Sequence, residues 1–343
     1  MAPDRNCTFE NRIKVGAFQK ISFSIKGIHV GEILGKTVPK KIRDLFGLIK
    51  HDEVDIILDA SGFAYGDHWG LNILKNRAKA YRKSKKRGAK IVLLPQAFGE
   101  FTSDKMKKHF KEIVEVADLI FPRDDISYKC VTELVGVKDS IIKSPDFTNI
   151  ISLDNSVDVP TREGIAIIPN YRMLDKTTLE ERDRYIPLLI KCISILESIN
   201  QNMFFLIHEG DQDLRIAEEI NKQIENKIPV VKEEDPLIIK KIIGDCRGVI
   251  SSRYHGIISS LCQGVITIGI GWSHKYSELF REYGVKEDLI ESSISYKELE
   301  KKLNIFQNEA EMAKLRDKIN DITLEKKQYT RNMWNIVFSK LGI

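Results

Sequence analysis

Residues 248–261 read GVISSRYHGIISSL, in which a short apolar run leads into SSRYHG and then into a second apolar segment. The β-branched run predicts a buried strand, and the segment from Tyr254 or His255 onward predicts a helix. A strand that runs directly into a helix is half of a βαβ unit, which builds parallel sheets. The stretch therefore predicts an α/β fold, with Arg253 and His255 at the carboxyl end of a strand.

The same alternation of strands and helices extends on both sides of this stretch in two series. The first has apolar runs at residues 54–59, 90–95 and 117–121, with helical patterns at 75–86 and 103–116 between them. The second has apolar runs at residues 164–169, 203–207, 228–231, 248–251 and 265–270. We expect two Rossmann-like domains with parallel sheets facing a cleft, comprising residues 1–156 and 157–343.

The boundary and the two ends of the chain follow different patterns. Residues 152–162 are polar and broken by Pro160, as in a linker, and residues 309–341 predict one or two helices that pack on a domain. The first 45 residues contain no convincing opening strand followed by a glycine-rich turn.

Composition excludes several classes of protein. The 343 residues are 42% hydrophobic and 30% charged, which is typical of a globular protein. No apolar run approaches the ~18 residues that span a bilayer, and residues 1–5 lack a signal-peptide pattern, so we expect a cytoplasmic protein. The net charge of +5 favours anionic ligands slightly and does not indicate nucleic acid. The five cysteines are scattered without CxxC spacing, which predicts reduced thiols and no metal site: Cys7, Cys130, Cys192, Cys246 and Cys262.

SSRYHG carries side chains suited to an anion. Arg253 offers a charged fork for carboxylate or phosphate, and Gly256 permits close approach to the backbone at a helix N-terminus. His255 should resist protonation beside that arginine, which suits proton transfer near neutral pH. The alternative is a helix-capping cluster with a surface arginine and a packed histidine.

The next strand opens into GWSHKY at residues 271–276. Because neighbouring parallel strands end at the same edge of a sheet, Ser273, His274 and Lys275 are expected to reach the same ligand. The alternative is that Trp272 and His274 only pack the loop.

Other predicted strand ends carry further candidates. In the first domain, DASGFAYGDHWG at residues 59–70 offers ring faces and an acceptor for a sugar, with core packing of the aromatic residues left open: Phe63, Tyr65, Asp67 and Trp69. Arg123 is a candidate anion ligand or a salt-bridge partner. His208 is a candidate acceptor-binding or structural residue.

SSRYHG followed by QGV and GWSHKY, together with DASGFAYGDHWG, resembles the polysaccharide pyruvyl transferase family from about Val54 to Tyr283. The resemblance implies a GT-B-like fold, phosphoenolpyruvate as co-substrate without a cofactor or metal, and a saccharide acceptor that becomes a pyruvate ketal. Arg253 and His255 match the family's R-x-H motif, and Arg123 matches its RD-x-x-S pattern. We hypothesise that His255 is the acid or base and that Arg253 and Lys275 stabilise the leaving phosphate. Family members usually begin with a strand and a turn that this chain does not show in recognisable form.

Two rival functions remain open at this point. A GT-B glycosyltransferase that uses a nucleotide sugar would need a carboxylate for the ribose hydroxyls, and Glu278 is available. A non-catalytic saccharide or anion binder is the other rival. The expected partners are phosphoenolpyruvate and a saccharide, free or lipid-linked, and a lipid-linked acceptor would bring the protein to the inner membrane face without an integral segment.

Overall fold

The computed structural model describes residues 12, 16–21, 37–152, 163–271 and 273–343 of the chain. The chain forms two compact units: unit 1 has residues 1–122, 127–142 and 337–343, and unit 2 has residues 123–126 and 143–336. The predicted boundary at residue 156, most of the predicted linker and Trp272 lie outside the described residues. Much of the unusual N-terminal region also lies outside them.

Unit 1 is built on a parallel sheet around one long strand. A two-stranded parallel sheet pairs β1 (Gln19–Lys20) with β2 (Leu48–Ile49). In the main sheet β5 pairs in parallel with three other strands. These strands are β3 (Ile56–Asp59), β4 (Phe63–Tyr65), β5 (Lys90–Phe98) and β6 (Leu119–Pro122).

The helices described in this part of the chain are α1 (Lys40–Leu45), α2 (Leu71–Lys85), α3 (Asp104–Val116) and α4 (Asp125–Val135). Three of the four, α2 to α4, pack their apolar residues in one core with the main sheet. Every third or fourth residue of α3 is apolar and faces the sheet. Phe110 of α3 therefore packs against Phe98 of β5, with the two buried ring centres 5.5 Å apart. The strands predicted at 54–59, 90–95 and 117–121 and the helices predicted at 75–86 and 103–116 are confirmed within a few residues.

Unit 2 has a six-stranded, wholly parallel sheet in the order β12-β11-β10-β7-β8-β9. The strands are β7 (Ile165–Ile168), β8 (Met203–Ile207), β9 (Val230–Lys232), β10 (Gly248–Ser251), β11 (Ile266–Ile270) and β12 (Leu289–Ile290). Numbered within the unit, this is the 3-2-1-4-5-6 order of the doubly wound fold, in which the direction of winding reverses between β7 and β10. Ligands bind beyond the carboxyl ends of the strands at such a reversal.

Helices and short 3₁₀ turns complete the element order. The helices are α5 (Arg172–Asp175), α6 (Leu179–Ser198), α7 (Gly210–Gln223), α8 (Pro236–Gly244), α9 (Tyr254–Leu261), α10 (His274–Glu282), α11 (Tyr296–Leu303) and α12 (Glu309–Leu341). The 3₁₀ turns are His51–Glu53, Asp67–Trp69, Phe147–Ile150, Lys286–Asp288 and Asn304–Gln307. Apolar side chains pack on both faces of the unit 2 sheet, which is why its strands are continuous apolar runs rather than alternating ones.

The C-terminal region predicted as one or two helices is the single 33-residue helix α12. Ile319 of α12 is buried in the same cluster as Tyr254 of α9 and Leu279 of α10. The helix therefore packs beside the two helices that follow β10 and β11. Within the described ranges, no helix is both long and apolar enough to cross a bilayer.

Candidate active site

The SSRYHG segment is the expected junction between a strand and a helix. Strand β10 ends at Ser251, and α9 begins at Tyr254 with Arg253 as its N-cap. The carbonyl oxygen of Ser252 accepts hydrogen bonds from Asn170 Nδ2 at 2.7 Å and from the Tyr276 hydroxyl at 2.9 Å. The ends of β7, β10 and β11 are thus tied together at the point where the winding reverses.

Gly256 brings α9 close to the sheet. A Cβ at this position would lie 2.8 Å from Ser251 Oγ and 3.1 Å from Ile168 Cδ1. The glycine therefore has a packing role in addition to the predicted role of admitting an anion.

The guanidinium of Arg253 is held by two carboxylates. Its Nε and Nη2 donate to the two oxygens of Asp213 at 2.7 and 2.6 Å, and Nη1 forms an ion pair with Glu209. Asp213 is fully buried, whereas the Glu209 side chain is 71% exposed. The bidentate pair is therefore a permanent part of the protein, and only the exposed Glu209 can be exchanged for a ligand anion at low cost.

A second buried arginine lies against the first residue of α9. The guanidinium carbon of Arg123 is 4.0 Å from the Tyr254 ring centre, and Nη1 donates to Asp146 at 3.2 Å. Its buried Nε has no hydrogen-bond partner in the described part of the chain, and neither has either amide atom of buried Asn149. Both side chains line a small cavity that Lys275 also lines. The cavity therefore offers unused polar atoms to a small ligand.

His255 lies on the first turn of α9, where the charges of the cavity residues Arg123, Asp146 and Lys275 act on it. The pKa of its imidazole is lowered, chiefly by burial among protein atoms; Arg123 and Lys275 add to the effect, and Asp146 opposes it. Its side chain nevertheless retains solvent exposure. A neutral imidazole open to an incoming molecule is able to accept a proton.

Lys275 has the most strongly altered basicity among the candidate donor residues. Burial and the positive charges of Arg123 and Arg253 lower its pKa to about 7. Its Nζ lies 5.3 Å from the ring centres of both Tyr254 and Tyr276, which hold the side chain in place. A lysine held between two arginines indicates a site that is completed by an anion, because each added negative charge relieves the repulsion.

The remaining donor candidates, Ser273 and His274, lie at the start of α10, and the acceptor candidate His208 lies at the end of β8. Ser273 is the N-cap of α10, and its buried Oγ has no hydrogen-bond partner among the described residues. His274 follows it as the first residue of the helix and is half-buried. Burial lowers the pKa of His208 to about 3, with His255 and Arg253 adding to the effect. The structure thus brings His208 to the Arg253 and His255 group.

The candidates in unit 1 divide into two pairs. Tyr65 is fully buried, and its hydroxyl donates to Asp59, which also binds Tyr81 at 2.6 Å. Phe63 is buried as well and lies edge-on to Trp69 at 6.0 Å. The structure therefore gives Phe63 and Tyr65 the core-packing role that the sequence left open, because a ring without solvent exposure has no face for a sugar.

Asp67 and Trp69 lie at the surface of unit 1. Asp67 accepts a hydrogen bond from the Thr102 amide at 3.0 Å, and Trp69 is 38% exposed. Glu278 of unit 2, which the nucleotide-sugar alternative requires, is buried and bound by Arg281 at 2.7 and 3.1 Å. Both oxygens of the Glu278 carboxylate are therefore already bound by the Arg281 guanidinium.

Three residues at the unit 2 site are not among the candidates that the sequence predicts. Asp146 caps the turn Phe147–Ile150, and Asn149 belongs to that turn. The turn ends 104 positions before α9 begins. Asn170 follows β7 and reaches β10. An asparagine directly after a buried strand is the one hint that the sequence offered. The described residues contain no group of three or more His, Cys, Asp or Glu side chains arranged to hold a metal ion.

Comparison with known proteins gives a family and a fold. A family model described as polysaccharide pyruvyl transferase matches residues 6–274. The matched region begins well before Val54, so the resemblance includes the N-terminal region that lacks a recognisable opening motif. Among curated proteins, none is similar enough in sequence to count as a match.

Solved structures resemble the chain over most of its length at low identity. S. aureus MnaA in a co-structure with UDP is 8% identical, with a TM-score of 0.57 over 94% of this chain and 82% of that chain. A glycosyltransferase from Rickettsia africae is 13% identical, with a TM-score of 0.55 over 97% and 87% of the two chains. Anabaena Alr3699/HepE in complex with UDP and glucose is 12% identical, with a TM-score of 0.50 over 89% and 83%. These likenesses show the fold alone, and they confirm the expected GT-B-like α/β class.

Proposed function

Because the chain belongs to the polysaccharide pyruvyl transferase family, we propose that it transfers the pyruvyl group of phosphoenolpyruvate to a saccharide and forms a pyruvate ketal. The observation that carries the proposal is a small cavity of unit 2 lined by Arg123 and Lys275, with His255 close enough to both for their charges to lower its pKa. Phosphoenolpyruvate carries a carboxylate and a phosphate a few ångströms apart. Several positive groups beside unused hydrogen-bond donors suit such a ligand.

The donor is bound by groups with distinct tasks. Arg123 Nε and the Asn149 amide hydrogen-bond one anionic group, and Ser273 and the N-terminus of α10 bind the other. Lys275 becomes protonated when the anions arrive and neutralises the phosphate. Arg253 keeps its bidentate bond to Asp213 and turns Nη1 from the exposed Glu209 to the ligand.

The reaction then needs a group that removes the proton of the acceptor hydroxyl and supplies one to the methylene carbon. An acceptor hydroxyl oxygen bonds to C2 of phosphoenolpyruvate while His255 takes the hydroxyl proton and delivers one to the methylene carbon, which becomes a methyl group. The bond between C2 and the phosphate oxygen breaks, and the second hydroxyl oxygen bonds to C2. Its proton leaves with inorganic phosphate, and Arg123 and Lys275 stabilise the charge on that leaving group.

The test is phosphate release from phosphoenolpyruvate in the presence of a panel of acceptor glycans. We expect acceptor-dependent release by the native protein and a loss of at least about 100-fold in His255→Ala, since general acid–base groups contribute about 10²–10⁴-fold. Arg253→Lys should weaken phosphoenolpyruvate binding, because an ammonium replaces the fork that holds Asp213. Arg184→Ala, on an exposed residue of α6, is the control and should keep full activity.

The remaining outcomes discriminate between the rival functions. Thermal stabilisation by phosphoenolpyruvate without phosphate release from any glycan would favour a non-catalytic binder. Absence of stabilisation would contradict the assignment of the site.

A further inference from the structure

A second, larger groove adjoins the cavity just described and lies wholly within unit 2. Its volume of about 330 Å³ lies at the lower end of the range of about 300–1,000 Å³ that is typical of small-molecule sites. Its walls come from α10, α12 and the segment before the turn Phe147–Ile150. The groove is distinct from the donor cavity and has room for a larger molecule.

The two spaces share a wall. Arg123, Pro145, Glu282 and Lys326 line both of them. A molecule in the groove therefore touches side chains that also touch the contents of the donor cavity. This adjacency is what a group transfer between two substrates requires.

The lining of the groove suits a sugar ring. Tyr329 of α12 is 54% exposed, so its ring is able to stack on the C–H face of a sugar. The carboxylates of Glu282 and Glu325 accept hydrogen bonds from hydroxyls, and the hydroxyl of Ser144 is able to donate or accept. The groove thus combines one apolar face with several groups that bind hydroxyls.

Glu282 lies at the shared wall in a half-buried ion pair. Its carboxylate is 2.7 Å from Lys326 Nζ, and the two side chains are 16% and 13% exposed. Burial raises the pKa of Glu282, with Lys326 opposing the effect. A carboxylate that is partly stripped of water binds a hydroxyl more strongly than an exposed one does.

The groove is lined partly by residues that follow the region matched by the family model. The family model ends at residue 274, whereas Glu282 and the α12 residues Ile322, Glu325, Lys326 and Tyr329 follow it. The donor cavity is built mainly from the matched region.

We propose that this groove binds the sugar residue that receives the pyruvyl group, with Tyr329 stacked on its ring and Glu282 accepting a hydrogen bond from an attacking hydroxyl. The proposal rests on the proposed function and adds the acceptor subsite to it. It places the determinants of acceptor choice on α10 and α12. Tyr329 thus takes the sugar-stacking role for which the sequence offered Phe63 and Tyr65, whose rings are buried.

The experiment observes sugar binding directly, by saturation-transfer difference NMR on the whole protein. The probes are the methyl β-D-glycosides of galactose, glucose, mannose and N-acetylglucosamine, with and without phosphoenolpyruvate. We expect at least one glycoside to give a signal that falls about fivefold or more in Tyr329→Ala and in Glu282→Gln. The matched control is Tyr296→Ala, which removes another exposed tyrosine, 48% exposed, from α11.

The outcomes separate this proposal from the proposed function. Glycoside binding that is unchanged in Tyr329→Ala, or absent for all four probes, would overturn the groove as acceptor site. Thermal stabilisation by phosphoenolpyruvate is measured on the same samples and should be unchanged in Tyr329→Ala. Failure of that stabilisation in the native protein would count against the proposed function, while the NMR result still decides the groove.

Discussion

At the scale of single residues, the environment of each side chain determines its chemistry more than its type does. Arg253 and Arg123 are both arginines at strand ends, yet Arg253 is held by two carboxylates, while Arg123 Nε at the cavity has no hydrogen-bond partner among the residues that the structure describes. Tyr65 and Tyr329 are both tyrosines, and only Tyr329 has an exposed ring. Residue type alone does not distinguish the members of either pair.

Lys275 leads to a prediction about proton uptake. Its pKa of about 7 in the free protein means that at pH 8 the amine is mostly neutral, and an anion would raise this pKa because it relieves repulsion from Arg123 and Arg253. Binding of phosphoenolpyruvate at pH 8 should therefore take up close to one proton, whereas binding at pH 6 should take up much less at Lys275, which is already charged. The affinity should accordingly fall as the pH rises above 7.

Calorimetry in buffers of different ionisation enthalpy measures this uptake. Lys275→Met should abolish most of the uptake at pH 8, and Lys286→Met, which changes an exposed lysine nearby in sequence, should leave it intact. Equal uptake in native protein and Lys275→Met would show that another group takes the proton.

At the scale of elements, β10 positions the site because it fits tightly among its neighbours. Its first residue is Gly248, where a Cβ would lie 2.2 Å from Phe306 Cε1 and 2.7 Å from Cζ. The Phe306 ring is fully buried and has no room to move away. The first position of the sequence GVIS is therefore under a steric constraint, because a side chain there would clash with Phe306.

We expect Gly248→Ala to lower the free energy of unfolding by about 1–3 kcal/mol, as overpacking of a rigid core does. Urea unfolding followed by circular dichroism measures the change. Gly99→Ala is the control, because its Cβ would meet neighbours at an ordinary 3.5 Å. An unchanged midpoint for Gly248→Ala would mean that the core adapts to the added methyl group without strain.

At the scale of the whole molecule, every residue assigned to the donor belongs to unit 2. This includes Arg123, which follows the last strand of unit 1 in sequence. Residues 123–126 belong to unit 2 and thus add a buried cation, Arg123, to a site that is otherwise built from residues 143–336.

This organisation predicts where phosphoenolpyruvate slows hydrogen exchange. Protection should appear in peptides that contain residues 253–257 and 273–276, because the ligand stabilises the conformation that it binds. Peptides from β3 to β5 of unit 1 should exchange at the same rate with and without the ligand. Protection of residues 59–69 in the absence of a glycan would contradict a donor site confined to unit 2.

The sequence by itself determined the fold class, the parallel order of strand and helix, and the junction at SSRYHG. These follow from apolar periodicity and from local chemistry at a strand end, both of which are written in neighbouring residues. Gly256, Arg253 and His255 lie at that junction as expected.

The tertiary structure alone decided which of these side chains face a ligand. Asp146, Asn149 and Lys326 approach the site from distant parts of the chain, and Asp213 and Glu209 hold Arg253 across 40 and 44 positions. Burial turned Tyr65 and Phe63 into core residues and lowered the basicity of Lys275. Such effects depend on what surrounds a group in space, and no local pattern in the sequence records the long-range contacts that create those surroundings.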